Sequence, residues 1–398
     1  MPCQFTRFVS ITSEFSSFRS SAIRGRERTF RTRPVRSGTL VYTDLGLRLV
    51  LWQGWQKKGR QMRALIIDRP GEARVIDVEP EAADPIEATM RIRRIGLCGT
   101  DLSTFLGKNP LVTYPRIPGH EVAATLERVP ANDLGLAEGM NVTLSPYTSC
   151  GTCTACRQGR VNACRYNQTL GVQRDGALLD HFSMPLEKLY AAPLPIEELC
   201  LVEPLTVGCH AVARGRVTSA DTVAIYGCGG VGLGAVSAAA FRGARVIAVD
   251  IDDKKLAIAQ GAGATHLIHS SREDVHARLQ ELTEGHGPNV VIEAIGRPDT
   301  FRAAVEEVAF TGRVVYIGYA KDLVSYETRL FVQKELDILG SRNALPQDFK
   351  EVIRMFEQKR FPTAEAISAT VPLREAPAIL RAWSENPAAY TKIMIALD

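Results

Sequence analysis

Four cysteines occur within the fifteen residues CGTCTACRQGRVNAC, although the whole chain of 398 residues contains only nine. Their spacing is Cys150-x2-Cys153-x2-Cys156-x7-Cys164. Four thiolates spaced in this way suit a closed tetrahedral zinc site, which leaves no position open for a substrate. The alternative is an iron–sulfur cluster, but the bacterial ferredoxin run has three residues before its last cysteine and a proline after it. This chain has seven residues there and Arg165 afterwards, which favours structural zinc.

A second group of possible metal ligands is dispersed: Cys98 in GLCGTD, His120 and Glu121 in GHE, and Glu203 in VEPLTVG. Each of these residue types has ordinary structural uses when it stands alone. Together, one thiolate, one imidazole and a carboxylate form a three-ligand zinc site that keeps a position for water or substrate, as catalytic zinc does. Asp101 is a candidate acceptor for the second ring nitrogen of His120. The other cysteines match no ligand spacing and are expected to be inert: Cys3, Cys200, Cys209 and Cys228.

A glycine-rich turn follows an apolar stretch in VAIYGCGGVGLG. In Gly227-x-Gly229-x-x-Gly232, the first glycine allows a tight turn, the second lets the backbone approach a pyrophosphate, and the third permits close packing of helix and strand. The next apolar stretch ends at Asp250, eighteen residues after Gly232, where a carboxylate can accept a hydrogen bond from the ribose 2′-hydroxyl. A 2′-phosphate would be repelled there, and the next two residues supply no cation. The sequence therefore predicts NAD as the cofactor.

The stretches around these residues indicate two kinds of domain. From Met62, short apolar strands alternate with turns in MRALIID, ARVIDVE, ATMRIRRIGLC and GMNVTLSP, which is typical of a β-barrel-like unit. From about residue 221, continuous apolar runs such as TVAIYG, ARVIAVD, THLIHS, NVVIEAIG and GRVVYIG alternate with helical stretches, which favours a parallel sheet wrapped by helices. Two amphipathic helices, around 347–358 and 373–384, and a last strand TKIMIAL are expected to pack back on the first unit.

Charge is unevenly distributed. Residues 1–61 contain twelve Lys or Arg and three Asp or Glu, whereas the rest of the chain contains 36 basic and 41 acidic side chains. We interpret residues 1–61 as a disordered or over-called extension, with a targeting segment as the alternative. The mildly acidic remainder does not suggest a nucleic-acid partner, and its apolar runs are shorter than the roughly 20 residues of a membrane helix. Clustered cysteines in odd number favour metal binding in a reducing compartment, so we expect a cytoplasmic protein.

In their order along the chain, GLCGTD, GHE, the four-cysteine lobe, EPLTVG and the glycine loop resemble the zinc-dependent medium-chain alcohol dehydrogenases, in the branch of sorbitol and threonine dehydrogenases. The similarity extends from Met62 to Asp398. It implies an α/β protein with three parts: a GroES-like β-barrel catalytic domain in residues 62–205 with the zinc lobe at 150–164, a Rossmann-type doubly wound parallel sheet in 206–343, and a C-terminal segment, 344–398, that returns to the catalytic domain.

The same resemblance implies roles for individual residues. Cys98, His120 and Glu121 correspond to catalytic zinc ligands, and Glu203 to an acid that contacts zinc directly or through its water. The residues of the expected cofactor site are Gly227, Gly229, Gly230, Val231, Gly232, Asp250 and Lys255.

Two further positions concern the path of the substrate proton. Thr100 is expected to be the first hydrogen-bond partner of the reacting oxygen. Many relatives have a histidine five residues after the catalytic cysteine to pass the proton outward, but this chain has Ser103 there. The relay therefore departs from the pattern of those relatives, with Ser103 or water in place of the histidine.

The stretches ELDILGSRNAL and GKNPLVTYPRIPGHE look most like a bacterial subgroup that acts on sugar acids such as L-gulonate or L-galactonate. Arg342 falls where sorbitol dehydrogenase relatives place a substrate-facing arginine, and a planar guanidinium can hold a carboxylate or vicinal hydroxyls bidentately. The alternative is that Arg342 only pairs with an acid in the cleft.

The sequence thus predicts an oxidoreductase that transfers hydride from a secondary alcohol of a sugar acid or polyol to NAD and gives a ketone. We expect one catalytic and one structural Zn²⁺ per chain and a homodimer or homotetramer. Threonine or another amino-alcohol is the alternative substrate and would favour an acidic partner over Arg342. From a different class, a non-catalytic NAD-binding protein or an iron–sulfur electron-transfer protein remains open.

Overall fold

The computed structural model describes residues 40–41, 48–49, 62–79 and 84–397. The chain divides into two compact units, residues 1–60 and 61–398. In the first unit, β1 (Leu40–Val41) pairs antiparallel with β2 (Arg48–Leu49). The remainder of segment 1–61, which we predict to be disordered or over-called, lies outside the described residues.

The second unit contains two large sheets, a two-stranded hairpin and all the helices of the described chain. Its strands are β3 (Met62–Arg69), β4 (Glu72–Val78), β5 (Glu87–Leu97), β6 (Glu121–Arg128), β7 (Asn141–Leu144), β8 (His181–Pro185), β9 (Leu189–Ala191), β10 (Thr222–Tyr226), β11 (Arg245–Asp250), β12 (His266–His269), β13 (Val290–Glu293), β14 (Arg313–Tyr316), β15 (Asp337–Gly340), β16 (Ala369–Pro372) and β17 (Ile393–Ala396). Its α-helices are α1 (Gly99–Phe105), α2 (Thr154–Arg157), α3 (Ile196–Arg214), α4 (Gly230–Phe241), α5 (Asp253–Gly261), α6 (Val275–Leu282), α7 (Pro298–Glu307), α8 (Arg329–Gln333), α9 (Pro346–Glu357), α10 (Thr363–Ala366) and α11 (Ala376–Glu385). Short 3₁₀ turns occur at Val161–Ala163, Leu186–Lys188, Leu373–Glu375 and Pro387–Ala389.

The antiparallel part of this unit is built around β5. The hairpin β3–β4 stands beside a seven-stranded sheet of order β16-β17-β5-β6-β7-β9, in which β8 also pairs with β5. Apolar and polar residues alternate in β5, so that Met90 and Ile92 are fully buried whereas Arg91 between them is exposed. The strands predicted from MRALIID, ARVIDVE, ATMRIRRIGLC and GMNVTLSP are confirmed.

A six-stranded parallel sheet follows, in the order β12-β11-β10-β13-β14-β15. Its central strands are continuous apolar runs because helices cover both faces. The order reverses between β10 and β13, and in doubly wound sheets of this kind ligands bind at that point, outside the carboxyl ends of the strands. The predicted fold class, a Rossmann-type sheet together with an antiparallel GroES-like unit, is confirmed.

Helices α3 and α4 cross in direct backbone contact. A Cβ added to Gly208 of α3 would lie 2.2 Å from the amide nitrogen of Ala235, and one added to Gly234 of α4 would lie 2.5 Å from the carbonyl oxygen of Leu205. Side chains of any size would separate these helices. The domain limit that we predict between residues 205 and 206 falls within α3.

The last part of the chain returns to the first sheet. Strand β17 pairs antiparallel with β5 and parallel with β16. Helix α11 contacts α1 and β4, whereas α9 packs on α3. Among the residues that the structure describes, none of the helices has the length and apolar character required to cross a bilayer.

Candidate active site

Cys98 lies where β5 ends and α1 begins. It is the N-cap of α1, with the Thr100 amide donating to its Sγ at 3.2 Å, while its own amide donates to Asp101 Oδ2 at 3.0 Å. These reciprocal bonds form a capping box from the sequence CGTD. This helix start therefore holds the Cys98 sulfur in a fixed position.

His120 approaches Cys98 from the residue before β6. Its Nε2 lies 3.0 Å from Cys98 Sγ, and only 7% of the residue is exposed. Burial opposes protonation of His120, but the Cys98 thiolate and the Asp101 carboxylate outweigh it and raise the pKa of His120 well above its usual range. Asp101 Oδ1 is 3.9 Å from His120 Nδ1, too far for the hydrogen bond that we expected between them.

Glu203 enters the same site from the middle of the buried helix α3. Its carboxylate accepts a hydrogen bond from the hydroxyl of Tyr147, and both residues are buried. Burial raises the pKa of Glu203 to about 7, although the nearby His120 acts in the opposite direction. A cation bound here would relieve the cost of burying this carboxylate.

Glu121 is held differently, by a buried lysine. Lys392 Nζ lies 2.6 Å from both carboxylate oxygens of Glu121 and donates to the Leu97 carbonyl at 3.2 Å. Burial lowers the pKa of Lys392, but the Glu121 carboxylate more than compensates and raises it. The opposing position in β5 is Gly96, where an added Cβ would lie 2.0 Å from Glu121 Oε2, so this glycine provides the space for the carboxylate.

The structure brings all four expected ligands of the catalytic metal together. Donor atoms lie within 4.8 Å of one another in two overlapping sets, Cys98 with Asp101 and His120, and His120 with Glu121 and Glu203. A thiolate, an imidazole and a carboxylate fit Zn²⁺. Glu121 is already paired with an ammonium, whereas Glu203 has only a neutral hydroxyl as partner, so Glu203 is the carboxylate that still lacks a cationic partner.

The four-cysteine lobe also fits a single tetrahedral ion. The Sγ separations are 4.0 Å for Cys150–Cys156, 3.6 Å for Cys153–Cys156 and 4.0 Å for Cys153–Cys164. Zn–S bonds of about 2.3 Å at the corners of a tetrahedron place the sulfurs about 3.8 Å apart. The Cys153 amide lowers the pKa of Cys150 to about 6, whereas burial and the Cys153 thiol raise the pKa of Cys156 to about 11. A divalent cation would allow all four thiols to ionise together.

The glycine loop has the geometry expected of a dinucleotide site. Gly227 has φ of 92°, and a Cβ added to Gly232 would lie 1.8 Å from the Gly227 carbonyl oxygen, whereas the space beside Gly229 is open. Helix α4 begins within this motif, at Gly230, so the amides of its first turn that have no partner in the helix are available to bind a pyrophosphate. Asp250 stands at the end of β11 and accepts from the amides of Cys228 and Ile251, each at 2.7 Å.

Lys392 connects the metal-ligand cluster with this loop. A Cβ added to Gly230, the first residue of α4, would lie 3.9 Å from the same Nζ that binds Glu121. The expected catalytic ligands and the expected pyrophosphate position therefore adjoin each other. This arrangement lets a substrate held at the cluster lie close to a cofactor held at the loop.

The other predicted residues have the following positions. Thr100 and Ser103 are half-buried in α1, next to Cys98. Arg342 is exposed, two residues after β15, and forms no ion pair with any residue that the structure describes. Val231 is in the first turn of α4, and the Lys255 amide donates to Asp252, the N-cap of α5.

Three cysteines that we expected to be inert are fully buried and belong to neither cluster: Cys200, Cys209 and Cys228. Burial raises the pKa of all three thiols. Protonated, enclosed thiols of this kind are unreactive. Cys3 lies outside the described residues.

Sequence reasoning missed Tyr147 and Lys392, although each contacts a predicted ligand. One signal was present for the lysine, because a single charged residue directly before the apolar strand IMIA needs a partner if it is buried. Nothing near Tyr147 in the sequence points to Glu203.

Two family models match this chain: the alcohol dehydrogenase GroES-like domain over residues 84–195 and the zinc-binding dehydrogenase over residues 230–358. An uncharacterised zinc-type alcohol dehydrogenase-like protein of Haemophilus influenzae is 33% identical over 84% of this chain and 98% of its own length. L-galactonate-5-dehydrogenase of Escherichia coli K12 is 31% identical over 75% of this chain and 88% of its own length.

Two solved structures share the fold. One is an alcohol dehydrogenase from Escherichia coli CFT073 complexed with NADH, with a TM-score of 0.78 and 25% identity, covering 85% of this chain and 100% of the other. The second, with NADP bound, is a candidate zinc-binding dehydrogenase from Sinorhizobium meliloti, with a TM-score of 0.78, 28% identity and the same coverage. Fold, site and relatives define an oxidoreductase. The chain belongs to the zinc-type alcohol dehydrogenase family.

Proposed function

We propose that this enzyme oxidises a secondary alcohol of a sugar acid or polyol to a ketone, with NAD as hydride acceptor and with zinc at the cluster of Cys98, His120, Glu121 and Glu203. The observation that carries the proposal is the position of Lys392, whose Nζ binds Glu121 and would lie 3.9 Å from a Cβ added to Gly230, because it places the metal ligands beside the cofactor loop. The substrate class is supported by the similarity to L-galactonate-5-dehydrogenase.

When bound, zinc lowers the pKa of the substrate alcohol and the nicotinamide accepts its hydride. The residues of the chain supply position and charge. The amide of Thr100 orients the Cys98 sulfur, and the hydroxyl of Tyr147 orients the Glu203 carboxylate. Thr100 and Ser103 are our candidates to accept the substrate proton and pass it to solvent, because both lie in the half-buried first turns of α1.

We propose NAD because Asp250 places a carboxylate at the end of β11, where it repels a 2′-phosphate. The direct test of the function is a panel of aldonates, polyols and threonine, assayed for reduction of NAD and, in parallel, of NADP. The expected result is reduction of NAD with an aldonate or polyol and two zinc ions per chain by metal analysis. Preference for NADP would contradict the cofactor assignment, and a preference for threonine would contradict the substrate class.

Arg342 is proposed to bind the carboxylate of a sugar acid. It follows β15, at the carboxyl edge of the parallel sheet where ligands bind, and its guanidinium is exposed and free of an acidic partner in the described chain. The alternative, that it pairs with an acid in the cleft, receives no support from these contacts.

We expect Arg342→Lys to lower kcat/KM for a sugar acid by about 10- to 100-fold, equivalent to about 1.4 to 2.8 kcal/mol of transition-state binding. The reason is that lysine keeps the charge but loses the bidentate fork. Steady-state kinetics on an aldonate and on sorbitol measure the effect, and sorbitol should lose much less. Equal losses on both substrates would show that Arg342 only supports the architecture of the site.

We also propose that two copies associate through the edge of the parallel sheet. Strand β15 has no partner on its outer side among the described strands, and several large apolar side chains in the segment 310–338, which ends within this strand, are exposed: Phe310, Leu323, Val332 and Ile338. An uncovered edge with apolar neighbours is a site for strand pairing. Light scattering should give twice or four times the chain mass, and Ile338→Lys should shift it toward the monomer. A monomeric wild type would contradict this.

We propose a cytoplasmic location because the eight described cysteines are all free and five of them, Cys98 and the four clustered thiols, lie in groups that could hold a metal ion. The domain limits 62–205, 206–343 and 344–398 remain our proposal for how the chain is divided.

A further inference from the structure

A buried chain of hydrogen bonds connects the cysteine lobe with α3 and α9. His210 Nδ1 lies 2.9 Å from Asp348 Oδ2, and His210 Nε2 lies 2.9 Å from Asn162 Nδ2. The three residues are 4%, 1% and 2% exposed, in the order His210, Asp348, Asn162. None of them belongs to the metal clusters or to the cofactor loop, so the proposed reaction does not explain why these polar groups are buried.

The direction of each bond is determined by the carbonyl of Arg342. Asn162 Nδ2 donates to this carbonyl at 2.7 Å, which only an amide nitrogen can do. The second N–H of the same nitrogen then donates to His210 Nε2, and His210 must donate from Nδ1 to Asp348. Both donors of the Asn162 amide are therefore used, one of them on the main chain of Arg342.

A second hydrogen bond connects the turn at Asn162 with the segment 342–345, and in this bond the donor belongs to the later segment. Asn343 Nδ2 donates to the main-chain carbonyl of Asn162 at 3.1 Å. Asn343 has φ of 53°, in the left-handed region that asparagine tolerates better than most residues. The amide of Leu345 donates in turn to Asp348 Oδ2 at 2.6 Å. Residues 342–345 are thus fixed at three points.

Asn162 lies between the clustered thiols and Arg342. Asn162 is in the 3₁₀ turn Val161–Ala163, directly before Cys164, the last of the four clustered thiols. A metal ion held by the thiols would fix this turn, and the turn holds the main chain of Arg342. We propose that Asn162 is a positioning residue, through which the cysteine lobe sets the position of Arg342 for a substrate carboxylate. This inference rests on the role of Arg342 in the proposed function.

A positioning role of Asn162 predicts a selective defect. Asn162 does not touch the catalytic cluster, so its loss should raise KM for a carboxylate-bearing substrate and leave kcat nearly unchanged. A small cavity of about 40 Å³ lies between the cysteine lobe and the segment 342–345. It is lined by Asn162, Ala344 and also Tyr147, whose hydroxyl donates to Glu203. A general disturbance of the lobe would reach the cluster along this side and lower kcat for every substrate.

The experiment compares three variants of the full-length holoenzyme. Asn162→Asp keeps the size of the side chain but replaces both N–H donors by an acceptor. Asn343→Gly removes only the returning bond, because glycine adopts the same positive φ. The matched control is Asn167→Asp, since Asn167 follows the lobe and is also buried, but its side chain donates only to Thr169, at 2.9 Å.

Amide hydrogen exchange of residues 341–345 tests the connection without any substrate. We expect exchange to accelerate about three- to tenfold in Asn162→Asp and Asn343→Gly, as for the loss of one hydrogen bond, and to stay unchanged in Asn167→Asp. Zinc content should remain at the wild-type value in Asn343→Gly. Unchanged exchange in Asn343→Gly and Asn162→Asp would overturn the inference.

Kinetics test the consequence for the substrate. In both variants we expect KM for an aldonate to rise about three- to tenfold while sorbitol is unaffected, and we expect no further rise when Arg342 is already alanine. Equal effects on both substrates, or additive effects in the Arg342→Ala background, would overturn the positioning role. A wild type that oxidises no sugar acid would instead refute the proposed function. The exchange experiment would still decide whether the cysteine lobe holds the segment 342–345.

Discussion

Cys98→Ser reduces turnover by at least about a thousandfold and leaves a folded protein that still binds NADH. Serine at this position has a hydroxyl that does not ionise at neutral pH and is a poor ligand for zinc beside His120. The glycine loop does not contain Cys98, so cofactor binding, measured by fluorescence of bound NADH, should persist.

The matched control for Cys98→Ser is Cys209→Ser, in a buried thiol outside both metal clusters. Most of the activity should survive this change, because Cys209 belongs neither to the catalytic metal cluster nor to the glycine loop. If Cys98→Ser retained a tenth of wild-type activity, the assignment of the cluster as the catalytic metal site would be wrong.

Lys392→Met lowers the free energy of unfolding by about 3 to 5 kcal/mol, because it removes the ammonium that is paired with the buried Glu121 carboxylate. Glu121 is 1% exposed and both its oxygens lie 2.6 Å from Lys392 Nζ, so no water can replace the lysine without rearrangement. Urea denaturation of the holoenzyme measures the loss. The double variant Glu121→Gln/Lys392→Met, which has no buried charge at this position, should recover a large part of it.

The matched control for Lys392 is Lys359→Met. Lys359 is also paired with a glutamate, Glu198, at 3.8 Å, but its side chain is 73% exposed. Exposed pairs contribute about 0 to 1 kcal/mol, so this change should be nearly neutral. Similar effects for the two lysines would show that the pair at Glu121 contributes no more than a surface contact.

Much of the fold can be predicted from the sequence, because the period of the apolar residues follows the backbone geometry. The helix predicted at 347–358 is α9, which begins at Pro346, where proline suits the first turn. The helix predicted at 373–384 begins three residues late, at Ala376, because a 3₁₀ turn precedes it. Strand β16 was not expected, since four residues on a sheet edge carry little pattern.

The candidate site also contains residues that could be predicted from the sequence and residues that could not. Cys98 could be predicted because its helix start is encoded in four consecutive residues, and the clustered thiols because their spacing is local. Tyr147 and Lys392 could not be predicted, because they contact glutamates that are far away in the sequence. Tyr147 is 56 residues from Glu203, and Lys392 is 271 residues from Glu121. Contacts over such separations depend on how the sheets and helices pack, which a single sequence does not specify.

The backbone contact of α3 with α4 has a consequence for redesign of the enzyme. Glu203 belongs to one of these helices and the cofactor loop leads into the other, so main-chain atoms at Gly208 and Gly234 set the spacing between Glu203 and the cofactor loop. Arg342 lies on a loop outside this contact. On the proposed role of Arg342, mutagenesis of residues 342–345 should alter substrate preference while the spacing between Glu203 and the cofactor loop is preserved, provided that both glycines are kept out of any randomised library.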